Sequence, residues 1–285
     1  MSAAAFRYEP AATPLLRRER AEGVLRLGLR ARGGASVLGT LYQQGCLKAR
    51  FPKPVDPAWL EAVLLNVSGG VAGGDDLASR ITLAAGARAI IASPAAERFY
   101  RALSLGGPAR LTLAIDLAPG ARLEWLPQES ILFDGCAFIR RSEIALAGDA
   151  RFLGVETLVF GRAAMGERLA RGSIRDTIRL SRDGRLQLHE ATRLEGAIDA
   201  LLTRPATAAG AGATALMIYA APDARSRLAG LRVALDGAEA GASLVLPDLL
   251  LARVLAPTAE ALRGVVTAGL RALRDGRMLP RVWQC

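Results

Sequence analysis

The chain has 285 residues, about half of them apolar, which excludes a disordered or fibrous polypeptide and allows a sizeable core. Its 37 basic and 27 acidic side chains give a formal charge of +10, carried by scattered arginines with Lys48 and Lys53 the only lysines. With aromatic residues at 5%, no stacking platform lies beside a basic stripe, and the expectation is a protein partner rather than nucleic acid.

The opening MSAAAFRYEPAATPLLRRER lacks the apolar stretch of a signal peptide. Two alternating runs follow, GVLRLGLRARGG and VLGTLYQQG, and read as strands. After DPAWLEAVLLN, where Trp59 reads as a packing residue, comes the glycine-rich LLNVSGGVAGGDDLASR, residues 64–80. A phosphate loop needs G-x-x-x-x-G-K-[ST]; here Asp75 and Asp76 follow Gly74 and would repel an anion. The dinucleotide pattern G-x-G-x-x-G is absent as well. The residues themselves favour a pair of strand-connecting turns, with Asp75 bonding nearby backbone N–H groups.

Then a pattern repeats: ITLAAGAR from 81, IDLAPGAR from 115 and IALAGDAR from 144, each followed by a second apolar run (RAIIAS, RLEWLPQ, RFLGVETLVF). Each unit reads as a strand, a tight turn and a return strand, which cannot bury its apolar face alone and must stack on its neighbours. SIRDTIRLSRDGRLQLHEATRLEG adds a hairpin turning at Asp183-Gly184. Within it the alternation sets His189 opposite Leu186 and Leu188, as a solvated histidine.

The uncharged PATAAGAGATALMIYAAP reads as a loop leading into a buried strand rather than a membrane span. DARSRLAGLRVAL and PTAEALRGVVTAGLRALRDG read as helices, the second burying Leu262, Val265, Val266, Leu270 and Leu273 and stopping at Gly276. The predicted fold is mainly β: a β-helix-like stack of strands and hairpins with two C-terminal α-helices packed on it. It is read as one domain over residues 1–285, a β body over about 20–221 and a helix-containing part over about 222–285. Cys46, Cys136 and Cys285 are odd in number and lack C-x-x-C spacing, which points to a reducing, cytoplasmic setting. Cys136 reads as a small buried side chain, and Trp125 and Phe133 as core anchors.

NVSGGVAGGDD (66–76), AAERFYR (95–101), EWLPQESILFDG (124–135), GRAAMGE (161–167) and LRALRDGRMLPRVW (270–283) closely resemble, in order, motifs of the urease accessory protein UreD (UreH) family. Pro94, Arg98 and Ser130 depart from the usual family residues. The resemblance implies a non-enzymatic urease accessory protein that binds apo-urease, UreF and the GTPase UreG, and supports nickel insertion through an internal metal route. It marks Asn66, Gly69, Gly70, Gly73, Gly74, Tyr100, Arg101, Trp125, Phe133, Gly161, Arg162, Gly166, Arg281 and Trp283 as structural or binding positions. Trp283 either covers the late helices or forms part of a partner surface.

One histidine and three dispersed cysteines offer Ni²⁺ no strong permanent site. A conduit needs weak ligands, so nickel is expected only in transit, with no permanent cofactor. Asp75, Glu97, Gln128, Glu129, Asp134, Glu156 and Glu167 are the candidates for a metal route. The competing reading has these side chains satisfying backbone groups or pairing with Arg98, Arg101, Arg141 and Arg162. Two alternatives stand beside the chaperone: a β-solenoid interaction module without metal transfer, and a hydrolase using Glu129 or Glu156 as a base. For the hydrolase no nucleophile elbow or nucleotide fingerprint is present.

Overall fold

The computed structural model describes residues 20–103 and 106–284, so the N-terminal reading over residues 1–19 and Cys285 lie outside the described residues. The chain begins with a hairpin, β1 (Glu22–Arg32) and β2 (Ala35–Gly45), then β3 (Leu47–Arg50) and β4 (Leu60–Asn66). It next winds through β5 (Asp76–Leu83), β6 (Arg88–Ala92), β7 (Glu97–Phe99), β8 (Ala109–Leu117), β9 (Arg122–Leu126), β10 (Ser130–Leu132), β11 (Ala137–Leu146) and β12 (Arg151–Phe160). The hairpin of β13 (Arg171–Arg182) and β14 (Arg185–Ala197) turns at Asp183-Gly184 as expected. There follow α1 (Ile198–Leu202), β15 (Ala213–Ala220), α2 (Ala224–Ala234), β16 (Ala240–Leu246), β17 (Leu249–Ala256) and α3 (Ala259–Leu273).

Two sheets face each other. One has seven strands in the order β14-β13-β11-β8-β5-β1-β2; the other has ten, β16-β17-β15-β12-β9-β6-β4-β3, with β10 beside β12 and β7 beside β10. The repeat explains the topology, with one correction to the hairpin reading. The two strands of each unit do not pair with each other: β5, β8 and β11 lie in the first sheet and β6, β9 and β12 in the second. Each strand pairs in parallel with its counterpart in the next unit. The turn is therefore an arc between sheets, and the alternation is the same for an arc as for a hairpin because only the partner differs.

Stacking puts like on like. Ile115 is the register partner of both Ile81 and Ile144, and Leu117 of both Leu83 and Leu146. At the turns Ala87, Ala121 and Ala150 are fully buried. The arcs also bond to one another: Ala118 N donates to the Leu83 carbonyl at 3.0 Å and Arg151 N to the Ala121 carbonyl at 2.9 Å. Gly86 and Gly120 adopt φ of 70° and 73°, where a β-carbon would be strained, which accounts for the glycine in these turns.

The outer face of the ten-stranded sheet is covered by α2 and α3. Thr258 caps α3, accepting from Ala261 N at 3.1 Å. Leu262, Val266, Leu270 and Leu273 are buried as the periodicity requires, against Met217, Leu250 and Ala252. Between these helices lies the β16–β17 hairpin, which the reading of a helical tail did not anticipate. LLLARVLA is buried on both faces, so it shows no alternation to betray a strand. Beyond α3 the buried Arg274 guanidinium donates to Glu124 at 2.7 Å and to the Met278 carbonyl at 2.6 Å, pinning the C-terminal segment on the sheet. Trp283 Nε1 donates to the Leu126 carbonyl at 2.9 Å, so this side chain is buried as a cover. Among the described residues no helix is long and apolar enough to cross a membrane.

The alanine ladder leaves no space for a larger side chain. Ala121→Leu is expected to lower the unfolding free energy by about 1–3 kcal/mol in urea titration; an unchanged midpoint would contradict the stacked-turn packing.

Candidate functional site

Apolar packing between the sheets is interrupted. Near the arcs it is built from residues such as Ile81, Ile115, Leu123, Ile144 and Phe152; toward the other end from Phe99, Leu132, Phe138, Leu158 and Ile174. A polar belt separates the two. It follows from alternation along three strands: Phe138, Arg140, Ser142 and Ile144 share one face of β11, Ile174, Asp176 and Ile178 one face of β13, and Phe152, Gly154, Glu156 and Leu158 one face of β12. Parallel register sets Arg140 beside Asp176.

The Arg140 guanidinium lies at the centre. Its Nε donates to Asp176 at 3.0 Å and its Nη2 to the other Asp176 oxygen; the same Nη2 lies 2.9 Å from Glu156 across the gap, and Nη1 contacts Ser130 Oγ at 3.3 Å. Burial pulls the guanidinium pKa down, but Asp176 and Glu156 more than offset this and hold it above its ordinary value. For Glu156 burial pushes the carboxyl up, Arg140 opposes that rise and Asp176 adds to it. One guanidinium is thus shared by two carboxyl groups, and the cluster carries a net negative charge when both are ionised.

Cavities flank this cluster. One of about 180 Å³ is lined by Asn66, Glu97, Trp125, Gln128, Ser130 and Glu156, among others. Another of about 520 Å³ includes Asp176, Glu190, Thr192, Thr214 and Arg253, and Glu156 again. Glu156 therefore borders both. In the smaller cavity burial pushes Glu97 up, against a hydrogen bond from Asn66. Trp125 Nε1 is buried on the Glu156 side, where its N–H opposes the upward shift of that carboxyl. At the larger cavity Arg253 of β17 pairs with Glu190 of β14, joining the two sheets.

Of the seven metal-route candidates, then, Glu97, Gln128 and Glu156 border the space between the sheets. Gln128 is also tied down, donating to the Val282 carbonyl at 2.6 Å and accepting from Arg263 at 2.6 Å. Glu129 pairs with Arg263 at 3.0 Å. Asp75 accepts from Ala21 N at 2.9 Å and Ala72 N at 2.7 Å, the backbone role expected of it. Asp134 accepts from Arg101 at 2.8 Å and Ala170 N at 3.0 Å, and Glu167 pairs with Arg162 at 2.5 Å. Of the arginines expected as partners, Arg101 and Arg162 serve; Arg140 and Arg263 take the places expected of Arg98 and Arg141.

The glycine loop answers to packing. Asn66 Nδ2 donates to the Gly70 carbonyl at 3.2 Å, and Tyr100 OH to the Gly69 carbonyl at 2.8 Å. At Gly70, with φ of 142°, a β-carbon would stand 2.4 Å from the Tyr100 ring. Gly73 rests on Ala102, and Gly74 on Gly106 and Arg20. Tyr100 meets Phe133 edge-on at 5.1 Å, and Arg162 stacks on Phe133 at 4.1 Å. Phe133 is thus half-buried in a rim cluster rather than a core anchor. Gly161 and Gly166 shape the turn that returns Glu167 to Arg162. Arg281 is exposed in a short 3-10 turn with Trp283. Trp125 packs partly buried against the apolar interior, Trp59 is buried under the Arg277 guanidinium at 4.6 Å, and Cys136 is fully buried. His189 is exposed and Leu188 buried as expected, but Leu186 is exposed because a bulge at Leu180/Ser181 shifts the register near the turn.

Arg140, Asp176, Glu190 and Arg253 were missed by the reading of carboxylates within motifs. For Arg140 and Asp176 the signal was present: each stands in phase with buried Phe, Ile or Leu in an alternating strand. Among the described residues no group of three or more His, Cys, Asp or Glu could hold a metal ion.

A family model described as UreD urease accessory protein matches residues 21–284. The chain is 44% identical to the urease accessory protein UreD of Azorhizobium caulinodans, covering 94% of this chain and 97% of that protein. It is 46% identical to the protein of the same name from Methylobacterium sp. (strain 4-46), over 94% and 96%. With that of Xanthobacter autotrophicus the identity is 44%, over 99% and 98%.

Two substitutions separate the halves of the buried cluster. Arg140→Met strands two buried carboxylates and is expected to cost about 3–5 kcal/mol. Glu156→Gln keeps the Arg140–Asp176 pair. Because the folded carboxyl has a raised pKa, its stabilising contribution is full below the unfolded value near 4.5 and is lost as pH rises through the folded value. The amide therefore leaves the thermal midpoint at pH 7 unchanged or higher and flattens its pH dependence above 4.5; a lower midpoint at pH 7 would contradict this assignment.

Proposed function

Because this chain belongs to the UreD urease accessory protein family and so has a role in urease maturation, we propose that it acts as a non-enzymatic scaffold and metallochaperone. It binds apo-urease and UreF, engages the GTPase UreG through that complex, and passes Ni²⁺ toward the urease active site through the polar belt. One observation carries this reading: Glu156, one of two carboxyl groups that share the Arg140 guanidinium, borders both cavities. Glu97 extends the oxygen donors on one side, and Asp176 with Glu190 on the other.

The chemistry suits transit rather than storage. Ni²⁺ binds imidazole and thiolate firmly and isolated carboxylates weakly. A path that must release its ion works best with sparse, single-carboxylate stations. Arg140 limits dwell time, since it competes with the cation for Glu156 and Asp176. The work is placed in the cytoplasm, where the free thiols of Cys46 and Cys136 stay reduced.

A second reading, an interaction module without metal transfer, draws on the same ion pairs: Glu129, Asp134 and Glu167 are all held by arginines. Co-expression with urease and its partners separates the two. A Glu97→Gln/Glu156→Gln protein should assemble with urease as the unsubstituted chain does while urease nickel content falls several-fold. Full nickel loading with assembly retained would favour the module.

A further inference from the structure

The outer face of the seven-stranded sheet lies opposite the belt and takes no part in it. Strand register defines its relief. One row crosses β1, β5, β8, β11, β13 and β14 as Val24, Ala78, Thr112, Arg141, Thr177 and Ala191. These are small or short side chains around a single long cation, which makes a flat strip with Arg141 near its middle. On either side the face is basic.

Arg26, Arg30, Arg110, Arg141 and Arg171 are exposed and have no ion-pair partner among the described residues. The carboxylates between them are engaged: Asp116 with Arg80 at 2.6 Å, Glu143 with Arg179 at 3.6 Å, and Glu195 with Arg175 and Arg193 at 2.6 and 2.7 Å. Glu22 and Asp76 face each other in register at the β1–β5 end of one flanking row, where Arg110 is the next register partner of Asp76 without forming an ion pair with it among the described residues. Arg26 stands directly opposite Arg80, and Arg175 opposite Arg193. Like charges directly opposite on one sheet face destabilise it; Asp116 offsets the first pair through Arg80 and Glu195 bridges the second, while Arg26 keeps an uncompensated charge toward solvent.

We propose that this face docks a carboxylate-rich protein surface, with Arg141 at the centre of the contact. The guanidinium suits the role because it takes a carboxylate bidentately and is more easily desolvated than an ammonium. The sheet backbone holds the arginines at fixed spacing, so the charge pattern is set in advance and only the side chains are ordered on contact. Nucleic acid fits less well: Tyr42 at the β2 edge is the face's single aromatic ring among the described residues, so the cations have no stacking platform for bases beside them.

The test uses fluorescein-labelled poly-L-glutamate and a single-stranded oligonucleotide of equal length, with anisotropy measured near physiological salt. An Arg110→Ser/Arg141→Ser protein is compared with Arg225→Ser/Arg271→Ser, which removes exposed arginines from α2 and α3. Arg141→Gln alone serves as the milder variant. The face variants should bind poly-L-glutamate about tenfold more weakly, equivalent to ~1.4 kcal/mol, with the helix variant and the thermal midpoints unchanged. Equal weakening by both pairs, or tighter binding of the oligonucleotide than of poly-L-glutamate, would overturn the proposal. Ni²⁺ binding of the face variants stays at the level of the unsubstituted chain, so this outcome is independent of the metal route.

Discussion

A single guanidinium holds the interior together. Arg140 reaches from the seven-stranded sheet to the ten-stranded one and is shared by Asp176 on its own side and Glu156 across the gap. Removing three ionised groups from water is costly, and their mutual attraction repays it only when donors and acceptors match. Asp176 takes two donors and Ser130 a third, which leaves Glu156 one guanidinium contact, through an Nη2 shared with Asp176, beside the Trp125 N–H and lining both cavities. The least satisfied member of the cluster is thus the one both cavities reach.

The rest of the architecture makes that arrangement possible. Parallel coils stacked in register repeat every inward position, so a polar residue admitted on one strand meets its neighbours at the same height. The isoleucine, leucine and alanine ladders at the arcs close one end, and the aromatic and aliphatic packing around Phe99 and Phe138 closes the other. On the outside, α2, α3 and the C-terminal segment seal the ten-stranded sheet, with buried Arg274 and Glu124 serving as a structural counterpart to the central cluster. The two buried clusters differ in consequence: Glu124 is held by two arginines, Arg274 and Arg277, whereas among the described residues Glu156 pairs with one, Arg140.

Much of this is legible in the amino-acid sequence. The I-x-L-A repeat announced a shared laminated core, Asp183-Gly184 a hairpin, and Thr258 with its apolar stripe the last helix. The pairing partner of each return strand was not, because alternation records which face a side chain occupies and nothing about which strand lies alongside. The β16–β17 hairpin escaped for a related reason, being apolar on both faces. In the site, turn chemistry points to Asp75 as a backbone acceptor, and it takes the Ala21 and Ala72 N–H groups, though it also stands among the metal-route candidates; Arg140 does not stand out because arginine on a strand is ordinarily a solvent-facing residue. Its phase with Phe138 and Ile144 was the available clue. Glu190 and Arg253 meet only through tertiary packing, and no local pattern could have joined them.

The central claim is that a divalent cation enters the belt and no other part of the interior. Methyl-labelled protein titrated with Ni²⁺ and followed by NMR addresses it directly, because the paramagnetic ion broadens nearby resonances. Broadening confined to methyls along the belt, such as those of Leu113, Ile178 and Leu216, with Ile81 and Ile115 untouched, is the predicted result. Broadening of surface methyls alone, with the belt methyls sharp at saturating metal, would contradict the account.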